Sequence, residues 1–313
     1  RRIRSTLTWK PVRFIDNAAG AALNVLALAL VVWILAMVVV VLPSTAVSEQ
    51  VANSRILTAL DSVMPAQVRN AFSGARNLMA QTSAPRVFAG LVQASGPQVD
   101  PPDDAIVADV VDATRASIVR ISGATPECNG SVTGSGFVVA PHVVATNAHV
   151  VAGVRTPLVR VRANDSSLPA TVVYFDARTD IALLKVPDLS ARSLPFSQEM
   201  GATSDAGVVA GFPGGGPFAA SGARVRARVS AVGDDIYGNA GVDRDIYVLR
   251  ATLEPGDSGG PLLDPDGRVW GMVFGADQSE PETAYALAAS ELRAALDSKL
   301  GPAVDVGNCR VRD

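Results

Sequence analysis

The chain has 313 residues, 48% of them apolar, with two cysteines, two histidines and a net charge of −3. That length holds one large domain, or two lobes with added segments. The mildly acidic balance argues against nucleic acid as a partner. The absence of a His-Glu-x-x-His pattern, with so few sulfur and imidazole ligands, argues against a metal site, and no cofactor is expected.

Mean hydropathy is +0.26, high for a soluble protein, and one segment explains much of it. Residues 18–47 carry no charge, and residues 21–42 are apolar apart from Asn24. About 20 apolar residues span a bilayer as a helix, whereas the apolar part of a signal peptide is shorter. A transmembrane helix is therefore expected over 18–42, making the lipid bilayer a partner. Arg1, Arg2, Arg4, Lys10 and Arg13 precede it against one acid, Asp16. Basic flanks stay cytoplasmic, so residues 1–17 are read as a cytoplasmic flank and the rest as extracytoplasmic. The first residue is Arg, not Met, which leaves room for further spans upstream.

Residues 43–105 read as a stalk and linker. Ile56, Leu57, Leu60, Met64, Val68 and Phe72 recur at helical steps, interrupted by Pro65. From residue 80 the composition turns to Pro, Ser, Gly and Asp, ending in Asp100-Pro101-Pro102-Asp103-Asp104. This stretch is a spacer or, alternatively, a segment that covers a cleft.

Residues 106–313 form the expected main domain. A short helix over 108–116 leads into β-branched runs bounded by turn residues. They fall at 117–121, 136–140, 143–146, 170–175 and 181–186, then at 207–211, 223–232, 246–252, 261–263, 268–274 and 283–287. Many short strands with Gly and Pro turns suggest barrels or a sandwich. Leu292, Leu296 and Leu300 share one face of a closing helix over 290–300. Cys128 and Cys309 bracket most of this domain, and in an oxidising compartment they should pair, as a staple or as a redox switch.

Three stretches carry the chemistry. Gly256-Asp257-Ser258-Gly259-Gly260-Pro261 places a serine on a tight turn that its glycines permit. Thr146-Asn147-Ala148-His149-Val150-Val151 supplies a histidine, and Asp180-Ile181-Ala182-Leu183-Leu184 opens with an aspartate. The order His, Asp, Ser is that of chymotrypsin-type hydrolases. The other histidine, His142, follows Pro141 in an expected turn, and Asp176 is the nearest rival of Asp180. With Gly134-Ser135-Gly136-Phe137-Val138-Val139, four motifs stand in order over some 130 residues. On these, residues 106–313 resemble the trypsin/chymotrypsin-like serine proteases, especially the bacterial branch that includes the HtrA-type enzymes. With its apolar anchor and terminal cysteine, the whole chain resembles the membrane-anchored periplasmic proteases of acid resistance in mycobacteria.

The resemblance implies an all-β fold of two six-stranded barrels and a C-terminal helix, with the anchor and stalk before it. It implies His149 and Asp180 on the first barrel and Ser258 on the second, as base, orienting acid and nucleophile. The N–H groups of Gly256 and Ser258 would form the oxyanion hole. The pocket base would be Thr252 and the wall Val273, Phe274 and Gly275, which predicts an uncharged P1 side chain. Gly275 would also bond substrate in strand fashion. Asp257 departs from the HtrA-type pattern, which usually carries Asn. No Ile-Val-Gly-Gly start is present to supply the freed N-terminus that zymogen-activated relatives pair with this acid, so another partner is expected. Gly211-Phe212-Pro213-Gly214-Gly215-Gly216 lacks a phosphate-loop Lys and reads as a flexible loop near the cleft. The overall expectation is a plasma-membrane-anchored periplasmic serine endopeptidase acting on envelope proteins under acid or oxidative stress. A free imidazole is largely protonated below about pH 6.5, so an acid limb in the pH–rate profile is expected. The alternative is a silent sensor module that keeps the protease fold.

Overall fold

The computed structural model describes residues 96–309, apart from 103, 129, 163–164, 278–279 and 299. The expected span at 18–42 and the stalk up to residue 95 lie outside the described residues. Among the described residues no helix is long and apolar enough to cross a membrane.

Helix α1 (Val107–Thr114) leads into seven strands of the first lobe. These are β1 (Ile118–Thr125), β2 (Gly130–Ala140), β3 (Val143–Thr146), β4 (Leu158–Arg160), β5 (Leu168–Pro169), β6 (Thr171–Asp176) and β7 (Ile181–Lys185), with the one-turn helix α2 (Ala148–Val151) after β3. They form one curled sheet in the order β5-β4-β1-β2-β3-β7-β6. The second lobe comprises β8 (Ala206–Gly211), β9 (Ala219–Gly233), β10 (Val242–Arg250), β11 (Pro261–Leu263), β12 (Val269–Ala276) and β13 (Thr283–Ala288). It is a closed six-stranded barrel, and α3 (Ala289–Asp297) follows it.

The second barrel matches the expectation; the first lobe does not close as a six-stranded barrel. Its extra strands, β4 and β5, are three and two residues long and carry no readable alternation. Strand β5 ends at Pro169, which has no N–H to donate, and the next N–H, that of Ala170, goes back to Pro157 O at 2.8 Å. No ladder therefore forms between the sheet's two edges.

The strands read as apolar runs because both faces are buried, and period 2 sends alternate side chains to different cores. On β7, Ala182 and Leu184 join a cluster inside the first lobe with Val119, Ile121 and Val144. Ile181 and Leu183 join a second cluster shared with Val208, Ile246, Val248 and Leu287 of the other lobe and Leu292 of α3. On β10, Tyr247 and Leu249 point into the second barrel with Trp270 and Val273. The shared cluster locks the lobes together and fixes the cleft between them.

Two flanking segments are strapped to this frame. Residues 96–101 lie along the second barrel, where three guanidinium groups reach main-chain carbonyls. Arg226 donates to Gly96 O and Pro97 O, Arg250 to Val99 O at 2.8 Å, and Arg224 to Pro101 O at 3.2 Å. At the other end, residues 304–309 cross the first lobe. Val304 N–H bonds Val172 O at 3.0 Å, Gly153 N–H bonds Val306 O at 3.3 Å, and Tyr237 OH donates to Asn308 O. The Cys128–Cys309 disulfide, closing a loop of 181 residues, ends this tail as expected.

Reduction with dithiothreitol, or Cys309→Ser, is expected to remove about 2–5 kcal/mol of stability, lowering Tm by roughly 5–15 °C. A melting curve unchanged by reduction would count against a stabilising bond.

Candidate active site

Strand β3 delivers Asn147 and α2 to the edge of the cleft, and the turn between β6 and β7 delivers Asp180. Asp180 is fully buried, with φ at +61°, a left-handed conformation that Asp tolerates better than most residues. Asn147 Nδ2 donates to Asp180 O at 3.0 Å and fixes this turn. The carboxylate then meets His149 twice: Oδ1 accepts the His149 backbone N–H at 2.9 Å, and Oδ2 lies 2.8 Å from Nδ1. With a carboxylate on Nδ1, that nitrogen keeps its proton and Nε2 is left as the basic site. The rivals sort themselves: His142 sits in the β2–β3 turn at φ +61°, and Asp176 is spent on Arg178 N–H and Thr179 Oγ1.

Ser258 lies on the loop between β10 and β11. Two glycines shape this loop. Gly256 has φ +106°, and a Cβ there would lie 2.5 Å from Phe212 O; Gly259 has φ +87°, and a Cβ would lie 2.1 Å from Ser135 O. No other residue fits either position. The first lobe grips the loop through buried Ser135: its N–H bonds Ser258 O at 2.8 Å, and its Oγ donates to Gly256 O at 2.7 Å while accepting Phe212 N–H at 2.9 Å. Gly134 packs between Val150, next to His149, and Ser258 O, which brings the serine loop against α2.

Within the loop the N–H groups divide. Asp257, Gly259 and Gly260 donate to Glu254 O, Val273 O and Asp257 O. The N–H groups of Gly256 and Ser258 have no acceptor among the described residues. The Ser258 hydroxyl is 3.5 Å from Phe274 O, longer than a formed O–H···O bond. No hydrogen bond joins it to His149, a contact that often tightens only when substrate binds.

The residues expected to shape the pocket are placed unevenly. Thr252 is exposed after β10. Val273 is wholly buried in the barrel core, and its N–H and C=O are both bonded to the Ser258 loop, at Gly260 O and Gly259 N–H. Phe274 is buried and stacks on Tyr285 with centroids 6.1 Å apart. Gly275 is part-exposed beside it, past a bulge in β12. The 211–216 loop is pinned: Gly214 N–H bonds Pro255 O at 2.6 Å, and Arg120 donates to Gly215 O at 2.8 Å. Burial, with Arg160 adding to it, pushes the Arg120 pKa down to about 10.

The partner of Asp257 is the Glu254 N–H, 2.9 Å from its carboxylate, and among the described residues no cation pairs with it. Burial pushes its pKa up to about 6; the Glu254 N–H bond opposes this and the Glu254 charge adds to it. Ser135 stands inside the Gly134–Val139 motif, but its hold on the Ser258 loop links residues 121 positions apart and so is not legible in sequence.

Two β lobes meeting at a His–Asp pair and a Gly-Asp-Ser-Gly loop define the class of chymotrypsin-like serine hydrolases. Comparison narrows this. Residues 134–272 match the family model for the trypsin-like peptidase domain, and residues 1–65 match that for Colicin V production protein. The chain is 38% identical to serine protease Rv3671c of Mycobacterium tuberculosis over 98% of its own length and 77% of that protein's. The crystal structure of the active form of that protease, 43% identical, overlays with a TM-score of 0.66, covering 69% of this chain and 96% of the other. A probable periplasmic serine endoprotease, DegP-like, of Halomonas elongata is 36% identical over 44% of this chain and 28% of its own. The chain belongs to the trypsin-like serine proteases.

Because the folded protein holds the Asp257 proton more tightly than the unfolded chain does, this group contributes stability at low pH. That contribution is lost as pH rises from about 4 to 6. Asp257→Asn, which carries no charge at any pH, should gain on the parent over that window by on the order of 2 kcal/mol. Denaturation midpoints measured across the window check this; a constant difference would refute it.

Proposed function

We propose that this serine protease is a membrane-anchored periplasmic endopeptidase that cuts envelope proteins through a His149–Asp180–Ser258 triad. The observation that carries the triad is the two-point contact of Asp180 with His149, facing a loop whose Gly256 and Ser258 N–H groups are uncommitted. Ser258 Oγ attacks the scissile carbonyl carbon while its proton passes to His149 Nε2. Asp180 holds the ring and stabilises the charged imidazole. The two free N–H groups bind the oxygen that becomes negative, a contribution of about 3 kcal/mol per donor. The C–N bond breaks as His149 returns the proton to the leaving amine. Water, activated by the same histidine, then cleaves the acyl-enzyme and restores Ser258.

The anchoring reading rests on the uncharged segment at 18–47 and its basic flank. The separate family match of residues 1–65 supports setting that part apart from a protease domain over 106–313. The periplasmic reading draws on the same charge asymmetry, the disulfide, and the name of the DegP-like relative. The resemblance to acid-resistance proteases supports a role in acid or oxidative stress. With Thr252 uncharged at the pocket-base position, P1 is uncharged.

The purified chain should label with a fluorophosphonate, and Ser258→Ala should abolish labelling. Asp180→Asn should lower kcat by about 10⁴-fold without unfolding the protein. A folded chain that does not label would instead favour a silent module of protease fold. A peptide library should return uncharged P1 residues; dominant P1 Arg or Lys would overturn the pocket assignment.

A further inference from the structure

One buried cation has no role in the chemistry described so far. Arg244 lies on β10 in the second lobe and is 2% exposed. It does not point into its own barrel. Its Nε donates to Arg178 O at 2.8 Å, its Nη2 donates to the same carbonyl, and Nη2 also donates to Asp234 O at 2.8 Å. Arg178 belongs to the first lobe, in the turn that ends at Asp180. The neighbouring second-lobe loop grips the same turn, since Ile236 N–H bonds Ala177 O at 3.1 Å. Ile236 itself is buried in the first-lobe core.

Asp180 needs such support. Its carboxylate is fully buried and its backbone is left-handed, so the turn must be held from outside. A buried carboxylate also requires a compensating charge. Burial lowers the Arg244 pKa, and the charge that most opposes this is Asp180, followed by Asp176, Asp235 and Glu291.

We propose that Arg244 is a positioning residue for Asp180, reaching across from the second lobe to clamp the 176–180 turn and to supply the buried carboxylate's countercharge. In this role it acts through the turn. Small displacements of a catalytic group are costly, about 10²-fold in rate for 1 Å. The planar fork on one carbonyl suits Arg better than Lys.

The inference rests on the triad reading, and the test separates the two. The full purified chain and its Arg244→Met and Arg244→Lys variants are compared well below their melting temperatures. Fluorophosphonate labelling rate, kcat and KM on one peptide, and the downfield Nδ1 proton resonance of His149 are measured. Arg244→Met should label and turn over about 10²-fold more slowly with KM little changed, and its resonance should weaken or shift. Arg244→Lys, which keeps the charge and one donor, should recover part of the rate. Arg228→Met, which removes a part-exposed ion pair with Asp245 on the same barrel, should match the parent. Failure of the parent to label would sink the triad reading. A labelling parent with an Arg244→Met variant of parental kcat and unshifted resonance would overturn this inference alone. If Arg244→Met does not fold, Arg244→Lys decides: parental rate and resonance would overturn the proposal, and slowed labelling with a shifted resonance would support it.

Discussion

Ser135 is the hinge pin of the molecule. Its N–H holds Ser258 O and its hydroxyl holds Gly256 O, so one first-lobe residue sets the backbone of the second-lobe Ser258 loop. The same hydroxyl satisfies the Phe212 N–H, so the glycine-rich 211–216 loop is drawn into the arrangement. A loop with two left-handed glycines has many alternative shapes; these cross-lobe bonds select the one that leaves Gly256 and Ser258 N–H groups free. The traffic runs both ways, because Arg244 of the second lobe grasps the turn that carries Asp180.

This reciprocity places charge where burial is severe. Asp180 sits in the interior with a histidine as one neighbour and a distant arginine as counterweight. Asp257 sits nearby with a main-chain N–H and no cation, which is why burial raises its pKa. The two carboxylates thus have opposite surroundings. One accepts two contacts from His149; the other, with its pKa raised by burial to about 6, is left close to neutral in mild acid.

Much of the fold was legible because β-branched runs between turn residues mark strands whatever lies on either side of them. The bounds of β3 and β11 were readable to the residue, and β9 and β10 ran longer than their apolar centres suggested. Strands β4 and β5 escaped because two or three residues carry no period, and Pro169 reads as a break. The closed-barrel expectation for the first lobe failed for the same reason. At the site, His149, Asp180 and Ser258 stood out through their motifs. Arg244 did not: Asp243-Arg244-Asp245 looks like an exposed charged stretch, and only the fold shows that its middle member is buried. Val273 was named for its position, but alternation on β12 turns its side chain into the barrel.

The strap over residues 96–101 bears on how the domain answers a pull. Arg224, Arg226 and Arg250 hold main-chain carbonyls, not side chains, so the contacts tolerate sequence drift in this segment provided it stays extended. They lie on β9 and β10, the most extensively paired strands of the barrel. A pull applied at residue 96 would load these guanidinium contacts first and pass from them into that ladder. The Ser258 loop starts immediately after Arg250, so the strap is anchored at the very point where that loop leaves the barrel.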